Sequence, residues 1–388
     1  MFSKYQDSKS LRSLQRKNAW NLFRFSDVLR DDTKNARKIK KEDYLSQGSY
    51  PIIDQGKDYI AGFTNEGDGI YATPPLIVFG DHTRLLKYID FPIFIGADGV
   101  KLLKNTFSEE EVLTKYIYYY LCTVNIPDTG YNRHFKFLKE VIIPIPNIEV
   151  QKRIVRVLDK AQELIDKRKA QIEALDQLTQ SVFLEMFGDL KGEQVSLSEL
   201  CYINPPKKEI ENMDKNLPVT FLPMANVSEN GELNLSESRL IKEVFDSFTY
   251  FREGDVLFAK ITPCMENGKG AIARNLINNI GFGSTEFHVL RPKENVNSTW
   301  LYYLTSLQSF RKQAEMNMTG SAGQKRVPKQ FFSKYKVVLP PIERQNQFAE
   351  IVQKIQVQKE AMKKSLTELE NNFHSLMQQA FRGELFVD

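Results

Sequence analysis

The chain carries one long amphipathic pattern twice, and this repetition limits what it can fold into. The segment beginning at Pro146, "PNIEVQKRIVRVLDKAQELIDKRKAQIEALDQLTQSVFLEMFGDL", is echoed from Pro340 by "PPIERQNQFAEIVQKIQVQKEAMKKSLTELENNFHSLMQQAFRGEL". Pro146, Ile148, Glu149 and Gln151 match Pro340, Ile342, Glu343 and Gln345 at a constant offset of 194. In the first copy Ile154, Leu158, Ala161, Ile165, Arg168, Ile172, Leu175, Thr179, Val182 and Met186 advance by alternating steps of four and three. In the second, Phe348, Val352, Ile355, Lys359, Met362, Leu366, Leu369, Phe373, Leu376 and Ala380 keep the same register. Such a heptad seam, held over this length, predicts a helix of a coiled coil. The proline ahead of each run can start a helix but not continue one. Gly188 and Gly383 follow the seams as natural stops. From Ile148 to Phe187 is 40 residues, which makes each helix roughly 60 Å long.

A single stripe of this kind usually lies on its own domain's core. Two matched stripes, each too narrow to be buried alone, are buried most simply against each other. Arg168 and Thr179 interrupt one seam and Lys359 the other. Such residues either fix register at a cost in stability or lie at a solvent edge of the seam.

The segments ahead of the helices match more weakly. "FIGADGVKLL" from Phe94 parallels "GFGSTEFHVL" from Gly281, and "KYIYYYL" from Lys115 parallels "TWLYYLT" from Thr299. Each half reads as a glycine-containing strand, a short aromatic helix, a Thr-Gly loop, an apolar run and the long helix. Apolar runs such as "PLIVFG" (75–80) and "DVLFAKI" (255–261) read as strands bounded by turn residues. The expected architecture is α+β: two mixed, β-rich globular domains and two long helices, in a pseudo-twofold repeat. The expected boundaries are 1–145 (with 1–20 a candidate arm), 146–190, 191–339 and 340–388.

Charge is nearly balanced, with a formal net of +4, so any nucleic-acid surface must be local. Cys122, Cys201 and Cys264 lie far apart without CxxC spacing, and the 4 histidines are scattered. This argues against zinc and a disulfide framework and fits a reducing compartment. The polar start "MFSKYQDSKSLRSLQRKNAW" has no signal-peptide core, and no run of 18 apolar residues occurs. A soluble cytoplasmic protein, away from membranes, is expected.

Catalytic signatures are missing. "INPPKK" at Ile203 approaches the Asn-Pro-Pro-aromatic site of DNA methyltransferases, but Lys207 stands where an aromatic would stack on an extruded base. A turn is the simpler reading. "GDH" at Gly80 could be an acid-base pair, but a polar loop after a strand is commoner. GxxxxGK[ST], HExxH and GxSxG do not occur. The chain reads as non-catalytic, with no bound metal or cofactor.

Recognition remains. "DTGYNRHFKFLKE" from Asp128 and "MTGSAGQKRVPKQFF" from Met318 both begin their loops with Thr-Gly. Both place a base seven residues after the Thr, Lys136 and Arg326, and then an apolar residue, Phe137 and Val327. Glycine permits close backbone approach, and hydroxyls and backbone N–H groups can bind phosphates. Arg or Lys can chelate guanine O6 and N7, and Asn or Gln adenine N6 and N7. The candidate contacts are Tyr131, Asn132, Arg133, His134 and Lys136 in one loop. Thr319, Ser321, Gln324, Lys325 and Arg326 serve in the other. "KITPCMENGKG" adds Lys260, Asn267 and Lys269, and "VFGDHTRLLK" adds His82 and Arg84. Any one of these alone is more often a solvated basic turn.

Taken together, "LPPIERQNQFAEIV", "AFRGEL", "GDVLFAKITPCMENGKGAI", "GFGSTEFHVLRP" and "MTGSAGQKRV" resemble the specificity subunit of type I restriction-modification systems. "VFGDHTRLLKYIDFPIFIGADGVKLL" looks like another variety of the same domain. The resemblance covers nearly the whole chain. It implies two target-recognition domains, each reading half of a split double-stranded DNA sequence. It implies two antiparallel helical spacers, paired through Ile154, Leu158, Ile165, Ile172, Leu175 and Val182 with Phe348, Val352, Ile355, Leu366, Leu369 and Phe373. It further implies two modification subunits that hold S-adenosylmethionine and methylate adenine. Two restriction subunits using ATP and Mg are a further option. The two domains differ in sequence, so an asymmetric target follows. Two readings from other classes stand beside it: a coiled-coil scaffold whose domains bind protein, and a type IIG-like enzyme component.

Overall fold

The computed structural model describes residues 6, 8–96, 98–130, 132–321 and 323–386. The chain divides into two compact units, Met1–Lys169 with Lys364–Asp388, and Ala170–Lys363. The long helices run Ile148–Phe187 and Ile342–Phe381, 40 residues each. Each therefore gives one half to each unit. Among the described residues no helix is long and apolar enough to cross a membrane.

In the first unit an antiparallel sheet has the strand order Leu29–Asp31, Val100–Asn105, Leu76–Gly80, Leu86–Ile89. Its centre is Leu76–Gly80, buried at every position, as a strand covered on both faces must be. A mixed sheet has the order Lys38–Ile39, Phe94–Gly96, Tyr50–Ile53, Gly62–Thr64. A ribbon pairs Asn21–Arg24 with Ile142–Ile145. The second unit repeats the plan. Its antiparallel sheet orders Cys201–Ile203, Phe287–Pro292, Val256–Ala259, Gly270–Ile272. Its mixed sheet orders Ser238–Leu240, Pro218–Leu222, Ile280–Gly283, Thr249–Arg252. Its ribbon pairs Gln194–Ser196 with Lys336–Val338.

The single glycine-containing strand expected in each half is in fact two strands of different sheets. Phe94–Gly96 and Val100–Asn105 flank Gly99, whose φ of +68° is the left-handed conformation that lets the chain change sheets. Ile280–Gly283 and Phe287–Pro292 divide in the same way.

Within each unit the helix halves run antiparallel. In the first, Lys169 pairs with Glu370 at 3.0 Å and the Arg153 guanidinium lies over Phe386. In the second, Arg344 donates to Met186 O at 3.0 Å, Phe183 and Phe187 flank Phe348, and Lys359 reaches Asp176 at 2.6 Å. Ile154, Leu158, Ile165, Leu175, Phe348, Val352 and Ile355 are buried, while Ile172, Val182, Leu366, Leu369 and Phe373 are half-buried. At its C-terminal end the first helix departs from the heptad. Phe183 and Phe187 are buried, whereas Val182 and Met186 sit at the edge. The straight helix drifts relative to a strict 3.5 repeat, and there it packs into the second domain's core beside Trp300 and Phe332.

Two of the polar interruptions lie inside the seam rather than at its edge. Lys359 is 2% exposed, and Thr179, also 2%, donates back to Leu175 O. A buried, paired cation is weak evidence for stability but a good register mark.

The matched glutamines do matched work. Gln151 Nε2 donates to Glu111 O and Pro146 O, while its Oε1 accepts from Leu113 N. Gln345 Nε2 donates to Asn295 O and Pro340 O, while its Oε1 accepts from Asn297 N. Each latches a long helix to the start of the short aromatic helix of its own domain, Thr114–Cys122 or Ser298–Ser306.

The N-terminal segment packs as an arm. Helix Ser8–Lys17 buries Leu11 and Leu14 in one core with Met377, Ala380 and Phe381. Asn18 donates to Gly383 O, and Gly383 (φ +69°) ends the last helix. Glu384 N bonds Gln379 O and Gly383 N bonds Ala380 O, the double bond pattern of a glycine helix stop. Residues 1–5 and 7 of the expected arm lie outside the described residues.

Candidate nucleic-acid interface

In each domain the buried central strand ends in a turn, and that turn is wired to the Thr-Gly loop. In the first domain Asp81 follows the strand. Its N–H donates to Gly99 O, and its carbonyl accepts from His134 N at 2.9 Å. Its carboxylate accepts from Phe135 N at 2.7 Å. In the second, Lys260 takes the same place. Its N–H donates to Glu286 O at 2.9 Å, and its carbonyl accepts from Val327 N at 2.8 Å. Asp81 thus corresponds to Lys260, Gly99 to Glu286, and His134 to Val327.

This corrects the alignment of the two loops. Counting from Thr-Gly matched Lys136 with Arg326. The backbone bonds instead match Arg133, which precedes His134, with Arg326, which precedes Val327. Lys136 lies on the short helix Phe135–Leu138 with its ammonium over Phe137. The loops differ in length before the shared bond, so counting from their start slips.

The first head contains Asn132, Arg133 and Lys136, all exposed. Arg84 is half-buried and paired with Asp128 at 2.7 Å, and it donates to Ile126 O. Gly130 N and Arg84 hold the Asp128 carboxyl below its usual range. His82 is half-buried, and its backbone N–H donates to Gln55 Oε1. His134 is not a surface group: it is 0% exposed, and its Nδ1 lies 2.9 Å from Asp81 O. It fixes the loop from inside. Tyr131 lies outside the described residues.

The second head brings two candidate segments together. Thr319 and Arg326 exchange both backbone hydrogen bonds, closing a short hairpin over Gly320 and Gly323, both at positive φ. Thr262 N donates to Lys325 O, so the turn after Lys260 and the hairpin form one body. Ser321, Gln324, Lys325, Thr319 and Asn267 are exposed. Lys260 and Lys269 are half-buried; burial pushes the Lys260 amine down, and Lys269 is turned onto Met224 O. Both are thereby less available to a ligand than the hairpin residues.

Three residues that sequence reasoning did not single out organise this head. Arg311, 7% exposed, donates to the carbonyls of Thr305, Met265, Lys269 and Gly268 and lies over Phe258. Burial lowers its pKa to about 10. His288 is neutral: Nε2–H donates to Val327 O at 2.8 Å and Nδ1 accepts from Asn204 Nδ2 at 3.1 Å. Desolvation pushes its pKa down to about 4. Glu286 accepts from Arg326 Nε and Nη2, both at 2.9 Å. That pairing holds the Glu286 carboxyl below its usual range. All three act across 39 or more residues of chain or through backbone carbonyls, which leave no local motif.

The Asn-Pro-Pro stretch is structural. Asn204 also accepts from Val289 N, and Lys207 is tied to Phe245 O and lies over Phe245 and Phe282.

Comparison with known proteins finds the same duplication along the chain. The family model for the type I restriction modification DNA specificity domain matches twice, over residues 17–175 and 191–371. The chain is 39% identical over 155 residues to the type I restriction enzyme EcoAI specificity subunit of Escherichia coli, covering 39% of this chain and 26% of that protein. It is 23% identical over 345 residues to the EcoR124I/EcoR124II specificity subunit of the same organism, covering 81% of each. A solved chain from a study of complex assembly and conformational transition of the type I R-M system superposes with TM-score 0.52 at 17% identity, covering 94% of this chain and 98% of that one.

Proposed function

Because the chain belongs to the type I restriction-modification DNA-specificity family, we propose that it is the non-catalytic subunit that reads a split, asymmetric sequence in double-stranded DNA, one half-site per domain. The readers are residues 1–145 and 191–339, and the spacers are 146–190 and 340–388. Two modification subunits carrying S-adenosylmethionine dock on the helices and their surroundings and methylate adenine. Restriction subunits using ATP and Mg are a further option, and the assembly works in the cytoplasm.

One observation carries the reading. The same backbone wiring, from strand end to Thr-Gly loop, recurs in both domains but presents different side chains: Asn132 and Arg133 in one, Gln324, Lys325 and Arg326 in the other. A shared frame with different donors suits two different half-sites, since base identity is read by side-chain donors and acceptors.

The test is to map modified adenines in DNA methylated by this chain with its modification partner. A two-part asymmetric motif with a fixed gap is expected. A continuous or palindromic motif would contradict the proposal. A heptad inserted into Ile148–Phe187 should change the gap or abolish methylation; methylation at the original gap removes the spacer role. Binding should also weaken steeply with salt, in proportion to phosphates neutralised, whereas a protein-binding scaffold would be largely indifferent.

A further inference from the structure

The side chain of Arg326 is set in one direction before any ligand arrives. A guanidinium has five N–H donors in a fixed plane. Nε and Nη2 donate to Glu286, and Nη1 donates to Gln324 O at 3.0 Å. Two donors remain, one on each terminal nitrogen. Both sit on the terminal nitrogens, the outer end of a side chain that is 41% exposed. The root is fixed as well, because Arg326 N donates to Thr319 O and Thr319 N to Arg326 O. Glu286 is held in turn, its carbonyl accepting from Lys260 N and its own N–H reaching Ser284 Oγ.

We propose that Arg326 reads a guanine in the half-site of the second domain, and that Glu286 is the positioning residue that aims it. The inference rests on the DNA-reading function above and adds a base and a mechanism to it. The two free donors, one on each terminal nitrogen, suit guanine O6 and N7, two acceptors side by side. Adenine presents N7 beside an N6–H donor and so repels one prong. A clamped side chain also avoids most of the ordering cost of a flexible one. Among the described residues the first domain shows no such clamp: Gly99 occupies the place of Glu286 and offers no carboxylate to Arg133.

The experiment compares adenine-methylation motifs written on randomised DNA by the intact complex carrying wild-type chain, Arg326→Lys or Glu286→Gln. Wild type should show a guanine at one position of one half-site. Both variants should cut the preference for that guanine over adenine, by roughly 5- to 150-fold for Arg326→Lys and by less for Glu286→Gln. The other half-site should be untouched, which also shows that the complex still assembles. Thermal unfolding of the Glu286→Gln complex should match wild type, a result a merely structural ion pair would not give alongside relaxed specificity. An unchanged motif, or an equal loss of methylation on all sequences as expected for a phosphate contact, overturns the inference but leaves the reading function standing. Failure of either variant to assemble makes the pair structural and overturns it too. If the wild-type complex writes no split motif, the reading function itself falls.

Discussion

The two heads share a backbone and differ in almost everything attached to it. Asp81 and Lys260 make the same pair of main-chain bonds, to Gly99 or Glu286 on one side and to His134 or Val327 on the other. The supports behind them are unrelated. The second domain adds a helix, Gln308–Met316, whose Arg311 props the turn through four carbonyls. Among the described residues the first domain has no such helix, and Lys87 is a buried cation there that bonds Asp54 O and Asp58 O in another segment. The fourth strand of the mixed sheet also differs, parallel Lys38–Ile39 in one and antiparallel Thr249–Arg252 in the other. Main-chain geometry is the retained part, and the side chains and their buttresses are free to change. That division fits the proposed reading of two different half-sites.

The sharpest way to break the comparison is to remove a buttress that only one domain has. Arg311→Ala leaves buried carbonyls without a charged donor, and it should destabilise the second domain by about 3–5 kcal/mol. Equilibrium denaturation should show the loss in that unit alone. Arg311→Lys should not restore it, because an ammonium has three donors and no plane.

Acid should separate the domains next. His288 has a folded pKa of about 4 against 6.5 for the free side chain. The unfolded chain therefore takes up a proton that the folded one refuses. Stability from this site is full above pH 6.5 and is lost as pH falls from there to about 4, by roughly 3 kcal/mol. At the matching register position opposite Phe79 the first domain has Lys101, where Phe258 faces His288, so no imidazole titrates there. Denaturation followed across this range should show the second domain weakening, and His288→Asn should flatten the slope.

The latches sharpen the comparison from the other side, since they should behave alike. Gln151→Ala and Gln345→Ala each remove three hydrogen bonds at a fully buried site. Each should cost about 2–3 kcal/mol. Unequal losses would show that the helix starts are not equivalent. The smallest effect is expected at Arg133. Without a clamp it must be ordered on binding, so Arg133→Lys should change base preference several-fold less than Arg326→Lys. Moving the clamp into the first domain by Gly99→Glu is disfavoured, because Gly99 has φ +68° and a Cβ there would meet Gln55 Oε1 at 2.5 Å.

The sequence made the helices legible because burial along them follows the same period as apolar residue type, through Ile154, Leu158 and Ile165 and again through Phe348, Val352 and Ile355. It made the matched glutamines visible, but not their work, which is with backbone atoms of another element. The loops stood out by composition. Their true correspondence did not, because it is set by a hydrogen bond to a strand end more than 50 residues away, His134 to Asp81. Nor did His134 itself reveal that it faces inward, since a polar loop residue carries no sign of burial. Glu286 and Arg311 were silent for the same reason as the split strands: their partners lie in distant segments.

The central claim is that one frame holds two independent readers. The most direct measurement is the methylation motif of the complex with Arg133→Ala in the chain, set beside that with Lys325→Ala. Each substitution should relax base preference in one half-site, a different one for each, and leave the gap unchanged. Relaxation of the same half-site by both, or of neither, would contradict the account.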